Sequence, residues 1–102
     1  VRIGDNSTIC SGSVISHSSV IGCNVFIAPN TSVGGFSSIG NNAFIGIGAI
    51  VSDMKSVAPF AILSAGAVLF ENASAPNIYK GNPARDSNIS SETYLKLMKG
   101  IS

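Results

Sequence analysis

The chain contains one histidine, His17. Its imidazole is the side chain best suited to gain and lose a proton near neutral pH, which makes it the candidate general base. A histidine in a surface turn is otherwise a polar turn residue, and residue type alone leaves both readings open. Residues at intervals of eighteen from His17 are Gly35, Asp53 and Glu71. A glycine at 35 presents its backbone N–H with no side chain in the way, the kind of donor that stabilises a developing oxyanion. As part of the pair Gly34–Gly35 it reads equally well as a turn glycine. Asp53 lies two such intervals from His17, roughly 9–10 Å at the spacing of neighbouring strands, too far to orient the imidazole within one chain. A second series at the same interval, Ser11, Pro29, Ile47 and Ala65, carries no charge. It suits a groove for an extended, mostly apolar arm, or a plain subunit contact.

The interval of eighteen comes from a shorter repeat. Ile3, Ile9, Ile15, Ile21, Ile27, Val33, Ile39, Ile45, Val51, Val57, Leu63 and Leu69 stand six residues apart without a break. Neither the 3.6-residue period of a helix nor simple strand alternation produces that pattern. A fixed hexad repeat belongs to a β-solenoid, in which each hexad supplies one short strand and a turn. With the aliphatic residue as position one, positions two and five are small in most hexads. Position four is Asn or Gly in eight of twelve, at residues 6, 12, 24, 30, 42, 48, 66 and 72. Those residues accept positive φ at low cost, so positions three and four are the corners. Three hexads close one triangular coil, and twelve stack into about four coils. The fold expected is therefore all-β, a parallel β-helix over residues 1–72. Residues 73–102 follow as a C-terminal loop and short helix of the same domain. Glu71 to Asn88, rich in Asn, Ala, Ser and Pro, reads as the loop. Ser90 can N-cap a helix from Ser91 to Lys99, with Gly100 as its stop. Tyr94, Leu95 and Met98 give that helix an apolar face to lay against the prism or a neighbour.

Composition narrows the partners. Of the 102 residues only 11% are charged, and none of the residues between Asp5 and Asp53 is Asp, Glu, Lys or Arg. Such a stretch points to burial against other subunits. A net charge of +1 without a Lys/Arg cluster argues against nucleic acid or an anionic membrane as partner. No apolar run approaches the roughly 18 residues needed to span a bilayer, and no signal peptide is visible. Cys10 and Cys23 match no metal spacing and read as reduced thiols of a cytoplasmic protein. One histidine also falls short of the three that a zinc carbonic anhydrase on such a fold requires. Thr8, Thr31 and Thr93 make no ice-binding ladder.

His17 to Arg85 resembles the hexapeptide-repeat acyltransferases, and most closely the branch that acetylates sialic acids and nucleotide-linked 4-amino-sugars. The segments that carry the resemblance are SHSSVIG (16–22), IAPNTSVGG (27–35), SIGNNAFIGIGAIV (38–51), LSAGAV (63–68) and GNPAR (81–85), spread over about two thirds of the chain. The hexads alone specify only the superfamily. His-x-x-x-Ile-Gly followed by Gly-x-Pro-Ala-Arg is more specific for acyl transfer. The left hand of the prism is implied by the resemblance alone, because the general rule for parallel crossovers gives the right hand. It also implies a homotrimer that transfers acetyl directly from acetyl-CoA to an amino or hydroxyl group of a sugar or nucleotide-linked sugar. On its pattern His17 matches the general base, and Gly35 the backbone donor near the thioester carbonyl. Gly46, Ile47, Gly48, Ala65 and Gly66 match positions lining the pantetheine arm between subunits. Arg85 matches a position near the cofactor's phosphate end, where a fixed positive charge suits it.

Two departures accompany the resemblance. Ser18 stands where the family usually has an acidic residue after its histidine, and Phe26 where it often has a second histidine. A non-catalytic trimerisation scaffold is therefore the rival expectation, with serine or a simple galactoside as other acceptors. That branch also carries a small N-terminal nucleotide-sugar-binding domain. The chain opens at Val1 already in phase with the repeat. It reads as a fragment from which that domain was cut, or as a short relative.

Overall fold

The sixth residue of each hexad and the first of the next form a two-residue strand, because an aliphatic inner residue and an outer one that is β-branched or aromatic in eight of twelve strands fit a pleat with one buried side. The computed structural model of the chain describes residues 1–101. Strands numbered along the chain fall into three sheets. The first holds β1 (Arg2–Ile3), β4 (Val20–Ile21), β7 (Ser38–Ile39) and β10 (Ser56–Val57). The second begins with β2 (Thr8–Ile9), β5 (Phe26–Ile27), β8 (Phe44–Ile45) and β11 (Ile62–Leu63). The third holds β3 (Val14–Ile15), β6 (Ser32–Val33), β9 (Ile50–Val51) and β12 (Val68–Leu69). All these strands pair in parallel with a register of eighteen, as in Ile9↔Ile27 and Ile27↔Ile45. The result is a left-handed parallel β-helix of about four turns.

The twelve aliphatic residues make three columns inside the prism. Ile21, Ile27, Val33, Ile39, Ile45, Val51, Leu63 and Leu69 are all at most 2% exposed. Ile3, in the first coil, is 50% exposed. Position five points inward beside the columns, and its smallness has a second cause. Ser7, Ser13, Ser19 and Ser37 each donate a hydroxyl to a carbonyl fifteen residues on, at 2.7–2.9 Å. Three of these hydroxyls also accept the amide eighteen residues on, from Val25, Thr31 and Lys55. The hydroxyls thus tie adjacent coils together, and no described buried side-chain polar atom lacks a partner.

The corners are uniform. All eleven position-four residues from Asn6 to Gly66 have φ between 56° and 77°. Seven are Asn or Gly; the other four are Ser18, Phe36, Met54 and Phe60.

The C-terminal segment differs from the expected loop. Ala73 bridges to Val57, and β13 (Asn77–Lys80) stacks in parallel on β11 with Ile62↔Ile78 and Leu63↔Tyr79. Then β14 (Arg85–Ser90) returns antiparallel to β13 at the edge of the second sheet. The apolar pair Ile78–Tyr79 continues a core column, but sixteen residues after its partners rather than eighteen, so a strict period passes over it. Tyr79 is 5% exposed, and its phenol oxygen accepts the Ala75 amide and donates to the Ala75 carbonyl. The helix α1 covers Ser91–Ile101. Ser90 caps it as expected, its Oγ accepting the Thr93 amide at 3.0 Å. Gly100 does not stop it: one glycine in a helix costs only about 1 kcal/mol.

Core and surface positions of neighbouring coils should respond very differently to truncation. Ile45→Ala, at a site with no exposure, is expected to lower unfolding free energy by about 2–5 kcal/mol. Ser32→Ala, on the outer face of β6, should change it by less than about 0.5 kcal/mol. Denaturant melts of the two variants check this.

Candidate functional site

His17 sits at the third position of its hexad, and its side chain is exposed on the edge joining the third and first sheets. Among the described residues no hydrogen bond reaches its imidazole nitrogens. Gly35 lies one coil along the same edge. A Cβ built on Gly35 would stand 3.2 Å from both Cε1 and Nε2 of His17, so the imidazole rests on the glycine backbone. Phe36 flanks it, with ring centroids 5.2 Å apart and planes at 88°.

The Gly35 amide is not free. Gly35 is buried, and its N–H donates to Asp53 Oδ1 at 2.9 Å. Asp53 therefore bonds the amide one coil away rather than orienting the imidazole. Gly34 makes room for this bond: a Cβ there would meet Asp53 Oδ1 at 2.4 Å and the Asp53 backbone nitrogen at 2.6 Å. An oxyanion donor at Gly35 is available only when Asp53 turns away.

The next edge of the prism stacks Ser11, Pro29, Ile47 and Ala65. Beside it, on the second sheet, lies a cleft of about 720 Å³. Its floor includes Gly46, Ile47, Phe44, Ile62 and Ala65, and α1 closes one side with Tyr94, Leu95 and Met98. The lining is largely apolar, with Asn42, Ser64 and Ser91 as polar points, the composition of a small-molecule site. Phe44 is stacked on Phe26 at 5.1 Å. Gly48 and Gly66 sit on the turns of this edge at φ 68° and 70°, with open space where a Cβ would point, and do not line the cleft.

Arg85 stands apart from both places. It opens β14 and borders a separate depression with Leu69, Glu71 and Tyr79. The Gly81–Arg85 turn itself caps the last coil: Val68 N donates to Gly81 O at 3.0 Å, and Ala84 N to Val68 O at 2.7 Å. The neighbouring Asp86 accepts bonds from the Asn77 side chain and the Asn88 amide, which hold its carboxyl below the usual carboxylate range.

The residues singled out from the sequence thus fall into three places: His17 with Gly35, the cleft with Gly46, Ile47 and Ala65, and Arg85. The third sheet separates the histidine edge from the cleft edge. Six residues of near-extended chain put those edges on the order of 15–20 Å apart, so one chain does not bring them together. Phe36, Phe60 and the Asp53 bond are features that sequence reasoning missed. Phe36 and Phe60 carried a signal in breaking the Asn/Gly rule at position four. No described group of three His, Cys, Asp or Glu could hold a metal, and Cys10 and Cys23 are free. No described helix is long and apolar enough to cross a membrane.

Residues 18–53 match the family model described as bacterial transferase hexapeptide (six repeats). No curated protein matches the chain. A point mutant of GDP-perosamine N-acetyltransferase from Caulobacter crescentus, in complex with CoA and GDP-perosamine, superposes with a TM-score of 0.83 at 28% identity. The match covers 84% of this chain and 41% of that one. A hexapeptide transferase family protein from Anaplasma phagocytophilum gives 0.80 at 25% identity, over 100% of this chain and 69% of that one. Soybean serine acetyltransferase gives 0.79 at 29% identity, over 83% and 39%. The chain spans about two fifths of the length of the first of these. These similarities bear out the resemblance read from the sequence.

The Gly34–Asp53 contact is open to direct measurement. Gly34→Ala should lower stability by about 1–3 kcal/mol through overpacking. Asp53→Ala should cost about 1–2 kcal/mol by leaving the Gly35 amide unpaired, with the fold retained by circular dichroism.

Proposed function

We propose that this hexapeptide-repeat β-helix is the catalytic prism of an acetyl-CoA-dependent acetyltransferase, acting as a homotrimer on an amino or hydroxyl group of a sugar or nucleotide-linked sugar. The observation that carries the reading is the pairing of one exposed histidine on one edge with an apolar cleft on the next. A three-fold assembly sets the histidine edge of one prism against the cleft edge of its neighbour, completing a site that neither chain holds alone. The uncharged coils and the exposed Val14 and Ile50 on the intervening sheet support such packing. A cytoplasmic setting fits the two free cysteines.

In this reading the cleft takes the pantetheine arm along Gly46, Ile47 and Ala65, with Gly48 and Gly66 leaving the edge bare for its approach. Arg85 offers its charge to a phosphate of the same cofactor. His17 accepts the proton of the acceptor amine or hydroxyl as that atom bonds to the thioester carbonyl carbon. The carbonyl electron pair moves onto oxygen, and the Gly35 amide stabilises it once Asp53 has moved. Collapse breaks the C–S bond, and the departing thiolate takes up the proton from His17. No covalent enzyme intermediate forms.

One observation favours a rival, a non-catalytic trimerisation scaffold: the amide that this mechanism needs is closed by Asp53. Among enzymes, serine and simple galactosides remain as acceptors, and serine acetyltransferase is among the structural neighbours.

The deciding experiment is the melting temperature of the purified protein across an acetyl-CoA titration. The enzyme reading expects a saturable rise, equivalent to about 2.7 kcal/mol at a hundredfold excess over Kd. No shift in a folded trimer leaves the scaffold. His17→Ala should keep that shift but lose thiol release in an acceptor screen with nucleotide-linked amino-sugars, serine and galactosides. Unchanged turnover in the variant rejects His17 as the base.

A further inference from the structure

We infer that Phe36 is the positioning residue for His17, holding the imidazole by ring contact where no hydrogen bond does so. The inference rests on the reading of His17 as the base. An exposed imidazole is free to turn about its Cβ–Cγ bond unless something restrains it. Beneath it lies the Gly35 backbone, and beside it stands the Phe36 ring, edge to face at 5.2 Å and 88°. That geometry is the favoured one for an aromatic pair.

Phe36 occupies a costly position. Its φ is +56°, at a turn site filled by Asn or Gly in seven of eleven hexads. A bulky residue there strains the backbone. The ring is 63% exposed, so the strain is not offset by burial in the core. Strain of this kind persists where the surroundings hold it and where a local contact uses it. Here the frame is tight: Phe36 N donates to His17 O at 3.1 Å, and the preceding amide is fixed by Asp53. Three of the four residues that break the Asn/Gly rule, Ser18, Phe36 and Met54, lie on the histidine edge. The ring and the imidazole therefore share one rigid corner.

The test uses Phe36→Asn, which restores a turn-favoured residue and removes the ring. Because His17 is the chain's one histidine, its Cε1–H and Cδ2–H proton resonances are identified without further assignment. In the parent they should be displaced by the neighbouring ring, and in Phe36→Asn they should move to free-histidine positions. The melting temperature should hold or rise, by about 4 °C or more if the full strain is released. With acceptor turnover, kcat should fall roughly ten- to a hundredfold while KM for acetyl-CoA stays within about twofold, as expected when the base is misplaced and cofactor binding is not. Phe36→Tyr should restore both the resonances and kcat. Unmoved resonances, unchanged kcat, a Tyr variant as impaired as the Asn variant, or loss of the oligomer in Phe36→Asn would each overturn the inference. A parent protein with displaced resonances but no transferase activity would instead fault the enzyme reading.

Discussion

Every coil of this protein has to return to the same place above the last after eighteen residues, and the corner turn is what makes that possible. Each side of the triangle contributes only a two-residue strand, too short to define a direction on its own. The bend between sides is set by one residue at φ near +60° in every described hexad from the first to the eleventh. Once the corners repeat, the aliphatic columns, the inter-coil hydroxyl bonds and the uniform register follow together. The same constraint places corner side chains in vertical rows, which is how His17, Gly35 and Asp53 come to share an edge.

Where the sequence departs from the cheapest solution for a corner, the departures are not scattered. An L-residue with a large side chain in the left-handed region gives up roughly 1–2 kcal/mol relative to glycine. Phe36 touches the histidine, Phe60 lines the apolar cleft, and Ser18 and Met54 share the histidine edge. Three of the four departures thus lie on one edge of the prism, and the fourth borders the cleft.

Much of the fold was legible because the hexad is strict. The columns from Ile3 to Leu69, the Asn and Gly corners and the Ser90 cap can all be read from residue type and spacing. The strand at Ile78–Tyr79 was not, because the last coil is two residues short and the pattern slips out of phase. For the site, spacing put Gly35 over His17 but could not reveal that the amide was already bonded. Whether a carboxylate one coil away bends toward a backbone donor depends on the missing Cβ at Gly34, a three-dimensional fact. The cleft depends on where α1 lies relative to Phe44 and Ile62, a packing choice that an apolar helix face alone leaves open.

The central claim is that the active site is shared, with the base from one prism and the cofactor cleft from the next. Subunit mixing tests it most directly. A His17→Ala chain and an Ala65→Arg chain, which blocks the cleft, should each be inactive alone. Unfolded and reassembled together at equal amounts, they should regain activity, since about a quarter of the interfaces in a random mixture pair an intact base with an intact cleft. Recovery of that order is the predicted result. A mixture as inactive as its components, with mixed trimers shown by mass, would contradict a shared site.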